Sequence, residues 1–307
     1  MPNDTHDAVV VGGSWAGLSA AMQLARARRR VLVVDAGRAR NRFARAAHGF
    51  LGQDGRAPAA ILETARAQVL AYPTAAFRAD EVTRANAEGD GFAVSLASGG
   101  TVRSRRLVLA TGVADELPDV PGLRERWGVT VLHCPYCHGY EVADGRLGVL
   151  ATGDMSLHQA LLLPDWSADV TLFTNGAVTL DAAQQAALGA RGVRVEGRRV
   201  EELVGGPSEG DAAALAGIRV AGGEILPLDA LFTAPRTRMA SPLADQLGCA
   251  FDDGPLGPVI RTDPRKQTTV PGVYAAGDAA LAMYNATFAA ADGVMAGSAA
   301  HQSLALA

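Results

Sequence analysis

Residues 8 to 35 admit few folds. Ala8-Val9-Val10-Val11 is a wholly apolar run, short enough for a strand and suited to burial on both faces. The glycine-rich turn Gly12-Gly13-Ser14-Trp15-Ala16-Gly17 leads into Leu18 to Ala25, whose composition is helical. A second apolar strand, Val31 to Val34, ends at Asp35. Strand, turn, helix, strand and terminal acid in that order make a βαβ dinucleotide unit. The turn lets a pyrophosphate rest on the helix N-terminus, and Asp35 is placed to hydrogen-bond the adenosine ribose hydroxyls. Ser14 stands where the usual pattern has its middle glycine, but serine is small enough to admit phosphate and can donate to it. Gly12, Gly13, Ser14, Trp15, Ala16, Gly17 and Asp35 are therefore cofactor-binding candidates.

The rest of the chain extends this unit to a two-domain α/β architecture, for which 307 residues suffice at roughly 150 per domain. Phe92, Val94 and Leu96 alternate, Ser98-Gly99-Gly100 turns, and Val102 to Leu109 returns as a hairpin closed by Ala110-Thr111-Gly112. Pro118 and Pro121-Gly122 mark a linker over residues 113–123. A second, degraded βαβ unit follows in Leu147 to Leu150, Ala151-Thr152-Gly153-Asp154-Met155-Ser156, a helical Leu157 to Leu163, and Val170 to Phe173. Its last strand ends in Thr174-Asn175-Gly176, offering neither an acid for a ribose hydroxyl nor arginines for a 2′-phosphate. A retained scaffold with little nicotinamide affinity is favoured over NADPH binding in the usual manner. The apolar run Leu226 to Phe232 is expected to complete this domain.

Near the C-terminus, Val273-Tyr274-Ala275-Ala276-Gly277-Asp278 reads as a strand ending in Gly-Asp, and a small-residue helix through Gly293 follows. These elements return to the first domain. The expected fold is two Rossmann-like three-layer domains, the second inserted into the first. Residues 1–114 and 244–307 form the first, and residues 115–243 the second.

Composition excludes several partners. With 28 basic against 32 acidic residues, a net charge of -4 and no basic block, the chain lacks the footprint of nucleic-acid binding. Lys266, the only lysine, lies in the polar run Asp263-Pro264-Arg265-Lys266-Gln267, which suits neither a phosphate loop nor a Schiff base. No stretch approaches the roughly 20 apolar residues that span a bilayer, and Ala8 to Val11 arrive without a basic leader and cleavage site. No membrane partner and a cytoplasmic location are expected. Three cysteines, two of them close together, do not make an extracellular disulfide framework.

That close pair lies in Cys134-Pro135-Tyr136-Cys137-His138-Gly139. Two cysteines at this spacing at a helix start can form and break a disulfide, and an adjacent imidazolium favours the attacking thiolate. His138 is a candidate proton carrier. Half of a zinc site is the alternative, with Cys249 and His133 available as further ligands but no second paired motif; inert core cysteines are another. No metal is expected. His48, in a glycine-rich loop, could approach a cofactor or substrate, although an exposed loop histidine is the commoner case. Cys249 reads as a small buried hydrophobe, His158 as a surface residue, Trp127 and Trp166 as packing residues, and Tyr136 as either pocket-shaping or local packing.

Over essentially its full length the chain resembles the low-molecular-weight thioredoxin-reductase-like flavoproteins, which are FAD-dependent pyridine nucleotide-disulfide oxidoreductases. The resemblance rests on the first glycine turn, Ala110-Thr111-Gly112, the cysteine pair before the second βαβ unit, and Ala275-Ala276-Gly277-Asp278, in that order. It implies FAD in the first domain, with Ala110, Thr111, Gly112, Gly277 and Asp278 added to its binding residues. It also implies NADPH or NADH in the second domain, a homodimer, Cys137 against the flavin, and Cys134 facing the external substrate. Within the family, Cys-Pro-Tyr-Cys-His-Gly-Tyr-Glu is more similar to the gliotoxin- and holomycin-type dithiol oxidases. Three departures separate the chain from the reductases: His138 in place of aspartate, Thr174-Asn175-Gly176 in place of His-Arg-Arg, and Tyr284-Asn285-Ala286 in place of Arg-Gln-Ala.

The leading expectation is oxidation of a small-molecule dithiol to a disulfide through Cys134, Cys137 and His138, with oxygen as acceptor. An NAD(P)H-dependent reductase of a thioredoxin-like protein is the main rival. A non-catalytic flavin-binding redox sensor is a third reading.

Overall fold

The computed structural model describes residues 5–205 and 214–306. The chain divides into two compact units. One comprises the residues up to Arg42, Pro58–Ala114 and those from Thr237 on; the other comprises Phe43–Ala57 and Asp115–Arg236. The loop Phe43–Ala57 thus groups with the second unit although the chain on either side of it belongs to the first.

The first unit opens with strands β1 (Thr5–Val11), β2 (Val31–Asp35), β3 (Ala75–Ala79), β4 (Val82–Glu88), β5 (Gly91–Leu96) and β6 (Thr101–Leu109) and helices α1 (Trp15–Arg26) and α2 (Pro58–Leu70). A parallel array runs β3-β2-β1-β6, and the late strand Val273–Ala275 continues it beyond the carboxyl half of β6. The hairpin of β4 and β5 pairs antiparallel along the other half of that edge. Successive side chains on a strand point to opposite faces. Val9, Val11, Leu32 and Val34 therefore enter one core, while Ala8, Val10, Val31 and Val33 enter another beneath α1 and the long helix Ala286–Ala305. Burial on both faces explains why these runs are continuously apolar rather than alternating.

The two helices meet through small residues. A Cβ added to Gly293 would overlap the Ala16 carbonyl, and one added to Gly297 would overlap that of Ala20, so the four-residue spacing on both helices lets the backbones touch. In the parallel register Val11 lies beside Leu109, and Leu109 beside Ala275. The turns that follow these three residues thus emerge together at the carboxyl ends of neighbouring strands, where open α/β sheets bind ligands.

The second unit repeats the plan. Its parallel sheet is ordered Arg194–Glu196, Val170–Phe173, Leu147–Leu150, Ala230–Thr233, Val131–Leu132, and an antiparallel sheet of Val200–Val204, Gly217–Val220 and Ile225–Pro227 accompanies it. The apolar run Leu226 to Phe232 falls at the end of this unit, where it is split between these two sheets. Pro227 lacks the amide a ladder needs, and the chain turns after it. The two-Rossmann-domain α/β fold is as the sequence implies.

Candidate active site

The dithiol motif sits where an edge strand runs into a single helical turn. Val131–Leu132 delivers the chain to Cys134, the N-cap of Pro135–His138, with proline at the first helical position, where its missing N–H costs nothing. The Cys137 and His138 N–H groups donate to the Cys134 carbonyl at 3.1 and 3.2 Å. This turn brings the two sulfurs together, and Cys134 and Cys137 are joined as a disulfide with a Cα separation of 5.2 Å, inside the range such bonds accept. Behind the motif, buried Gln159 donates through Nε2 to the His133 carbonyl at 2.5 Å, tying the helix Asp154–Leu162 to the cysteine turn. Trp166 packs against Gly139, where any Cβ would meet the indole, and stands edge-on to Tyr136 at 5.6 Å between ring centroids. Tyr136 itself is exposed, as is Tyr140.

His138 follows Cys137 directly and is half-buried. Burial pushes its imidazole below the ordinary value; Glu141, three residues on, pulls it up, and His48 pushes it down. His48 is the residue that local sequence undervalues. Its loop closes through paired Ala47 and Arg56 and through the Gly49 N–H donating to Asp54 Oδ1 at 2.8 Å. The His48 ring then stands edge-on to His138 with centroids 6.4 Å apart, its Nδ1 lying 3.4 Å from Glu141 Oε1 and 3.7 Å from Asp54 Oδ1. Glu141 had a readable signal in its spacing from His138, since positions three apart share a helical face. His48 had only its glycine-rich setting.

In the first unit the glycine turn is built for close approach. Gly12 has φ +103°, a conformation that L side chains avoid, and a Cβ there would overlap the Ala110 carbonyl. The Gly13 N–H donates to Asp35 Oδ1 at 3.0 Å, which fixes the carboxylate beside the turn. Ser14 occupies the N-cap of α1 but makes no side-chain capping bond, so the first turn of that helix keeps its donors for another acceptor. Beyond Asp35 opens a cleft of about 340 Å³ whose lining includes Arg38, Arg66 and Phe77, with the Arg66 guanidinium 5.0 Å from the Phe77 ring centroid.

The strand Val273–Ala275 presents Gly277 and Asp278 at the same end of the sheet. Gly277 has φ +73° and lies against Ala16, while Asp278 Oδ2 is paired with Arg40 Nη1 at 2.9 Å. The Arg40 guanidinium is stacked 4.2 Å from the Tyr284 ring centroid. Asn285 caps the C-terminal helix, its Oδ1 accepting from Thr287 N–H at 2.7 Å. Lys266 is no surface residue: its ammonium is buried 2.9 Å from Asp292 Oδ1, and Asp292 Oδ2 accepts the Gly277 N–H at 2.9 Å. Gly12, Gly13, Ser14, Trp15, Ala16, Gly17, Asp35, Ala110, Thr111, Gly112, Gly277 and Asp278 are therefore all placed at or beside one end of this sheet. Arg40 and the Lys266–Asp292 pair are additions that the sequence did not announce.

The second glycine turn is tied to itself. The Thr152 N–H donates to Ser156 Oγ at 2.9 Å, Thr152 Oγ1 donates to the Ala234 carbonyl at 2.6 Å, and Asp154 puts a carboxylate in the first helical turn. After the next strand, Asn175 Oδ1 accepts the Val200 N–H at 2.8 Å. Arg194 and Arg198 nearby are paired with Asp169 and with Glu196 and Glu224. Cys249 is buried in the first unit, where burial pushes its thiol up, and it donates to Thr268. Among the described residues no group of three or more histidine, cysteine or acidic side chains could hold a metal, and no helix is long and apolar enough to cross a membrane.

A disulfide one turn from an imidazole, on a chain of two nucleotide-type folds, defines a disulfide oxidoreductase of the flavoprotein class. The chain belongs to the pyridine nucleotide-disulphide oxidoreductase family, whose model matches residues 6–302. It is similar to an oxidoreductase from Agrobacterium tumefaciens of known structure, with 49% identity, coverage of 98% of this chain and 99% of that one, and a TM-score of 0.92. The solved structure of HlmI is 42% identical, with 97% and 92% coverage and a TM-score of 0.88. Thioredoxin reductase tcpT of Claviceps purpurea is 37% identical over 95% of this chain and 92% of its own length. The chain is thus a thioredoxin-reductase-like enzyme, and FAD is the cofactor of its family. The first turn fits FAD: Gly12 and Gly13 carry no Cβ, the helix that follows is uncapped toward a phosphate, and the Asp35 carboxylate is oriented at an open cleft.

Proposed function

We propose that this enzyme oxidises small dithiols to disulfides, with oxygen as the terminal acceptor and no requirement for a nicotinamide. The observation that carries this reading is His138, a half-buried imidazole next to Cys137 whose proton affinity burial keeps low, so that it is neutral and able to accept a proton at neutral pH. A substrate thiol gives its proton to His138 and attacks the Cys134 sulfur. The Cys134–Cys137 bond breaks, and Cys137 leaves as a thiolate. The second substrate thiol attacks the substrate sulfur of the mixed disulfide and passes its proton to the departing Cys134 sulfur, releasing the oxidised product. The enzyme pair then holds the two electrons lost by the substrate. Bound FAD supplies the two-electron acceptor that returns the pair to its disulfide form.

Gly12, Gly13, Ser14, Trp15, Ala16, Gly17, Ala110, Thr111 and Gly112 would cradle FAD, with Asp35 at the ribose and Gly277 and Asp278 toward the flavin end. The self-bonded second turn, the Asp154 carboxylate at its helix start and the committed arginines support a reading without tight NADPH binding. A homodimer and a cytoplasmic location belong to the same proposal; sedimentation of the holoenzyme tests the first.

A second reading, NAD(P)H-dependent reduction of a thioredoxin-like protein, is favoured by the name of tcpT. Oxygen uptake separates the two. Adding a dithiol in air, without nicotinamide, should consume oxygen; strict dependence on NADPH with no oxygen uptake would reject the oxidase in favour of the reductase.

A further inference from the structure

His48 has no assigned part in this chemistry, and the fold spends a fifteen-residue loop placing it. Phe43–Ala57 groups with the unit that carries the cysteine pair rather than with the unit it departs from. The loop is pinned by the Ala47 N–H donating to the Arg56 carbonyl at 2.8 Å, by the Gly55 N–H returning to the Ala47 carbonyl at 2.9 Å, and by Gly49 in a left-handed conformation at φ +69°. A Cβ on Gly49 would lie 3.9 Å from the carbonyl of Tyr136, so the loop passes close to one of the two residues between the cysteines.

We propose that His48 and Glu141 are positioning residues of the dithiol site, the loop imidazole and the carboxylate it meets acting together on His138, the group that takes the substrate proton. The inference rests on the dithiol reading for its chemistry. Two imidazoles with centroids 6.4 Å apart repel when both are charged, whereas the Glu141 carboxylate attracts a charge on either. His48 faces Glu141 at 3.4 Å, Asp54 of its own loop at 3.7 Å, and the His138 ring. The His138 ring in turn faces that of His48, and Glu141 follows it three residues on in the chain. With its side chain 23% exposed, His48 also has contact with water. When a substrate thiol reacts, its S–H bond breaks and an N–H bond forms on His138. The same proton must then leave to solvent before the next turnover, and a neighbouring imidazole that competes for charge hastens that departure.

The test uses the oxidised holoenzyme with labelled histidine, its ring resonances titrated by NMR and His138 assigned through H138Q. His48→Asn should raise the His138 midpoint and Glu141→Gln should lower it, each by about half a pH unit. The acid limb of anaerobic flavin bleaching by dithiothreitol should move with the midpoint. On that limb the rate should fall about threefold in H48N and rise about threefold in E141Q, since only neutral His138 accepts a proton. A merely structural role would not move the midpoint in opposite directions. Midpoints that stay put or shift the same way, or a bleaching limb that ignores them, would overturn the proposal. Failure of dithiothreitol to bleach the wild type would count against dithiol oxidation instead, and the NMR midpoints would still decide the coupling.

Discussion

At the scale of single residues, His138 and Lys266 show how little a residue type says without its partners. His138 is buried enough for desolvation to outweigh Glu141, so its protonation midpoint lies below the ordinary imidazole value of 6.5. Dithiol oxidation should therefore hold its rate through neutral pH and fall only as pH drops through that lowered midpoint, when His138 gains a proton and can no longer accept one. His138→Gln should slow anaerobic flavin bleaching by a dithiol about a hundredfold or more and abolish that limb, while the thermal midpoint changes little. Lys266 was legible only as the chain's single lysine in a polar run. Its partner Asp292 lies on a helix far along the chain, and no local pattern connects them. Lys266→Met would strand the buried Asp292 carboxylate that holds the Gly277 N–H, costing about 3–5 kcal/mol. A denaturant midpoint should read that loss, accompanied by poorer FAD retention.

At the scale of elements, the parts that were readable are those in which local pattern and burial agree. Continuous apolar strands, glycine turns and the terminal Asp35 follow from residues adjacent in the chain. Trp127 and Trp166 pack as expected, and Cys249 is a buried thiol. What was not readable depends on long-range placement. The Phe43–Ala57 loop carries no periodicity, so its grouping with the cysteine unit, and with it the approach of His48 to His138, could not be deduced. Arg40 on Asp278 spans most of the sequence for the same reason. Pro227 was visible, but its power to divide one apolar run between two sheets depends on which sheet each half joins. The small-residue contact of α1 with Ala286–Ala305 gives an element-scale prediction. Gly293→Val would drive side-chain atoms into the Ala16 backbone and should lower stability by about 1–3 kcal/mol or more, read from thermal unfolding of the holoenzyme.

At the scale of the whole molecule, two units of related plan have diverged in what their turns can hold. The first keeps an open cleft, an uncapped helix and an oriented acid. The second has turned its serine and threonine inward and lends its helix to the cysteine turn through Gln159. On this account the second unit serves as the carrier of the dithiol site, and electrons enter from substrate sulfur. The most direct measurement is the anaerobic absorption spectrum of the FAD-loaded protein mixed separately with NADPH, NADH and dithiothreitol. Dithiothreitol alone should remove the flavin band, and should fail to do so in Cys137→Ser. Rapid bleaching by NADPH or NADH, with a flavin untouched by dithiol, would contradict it.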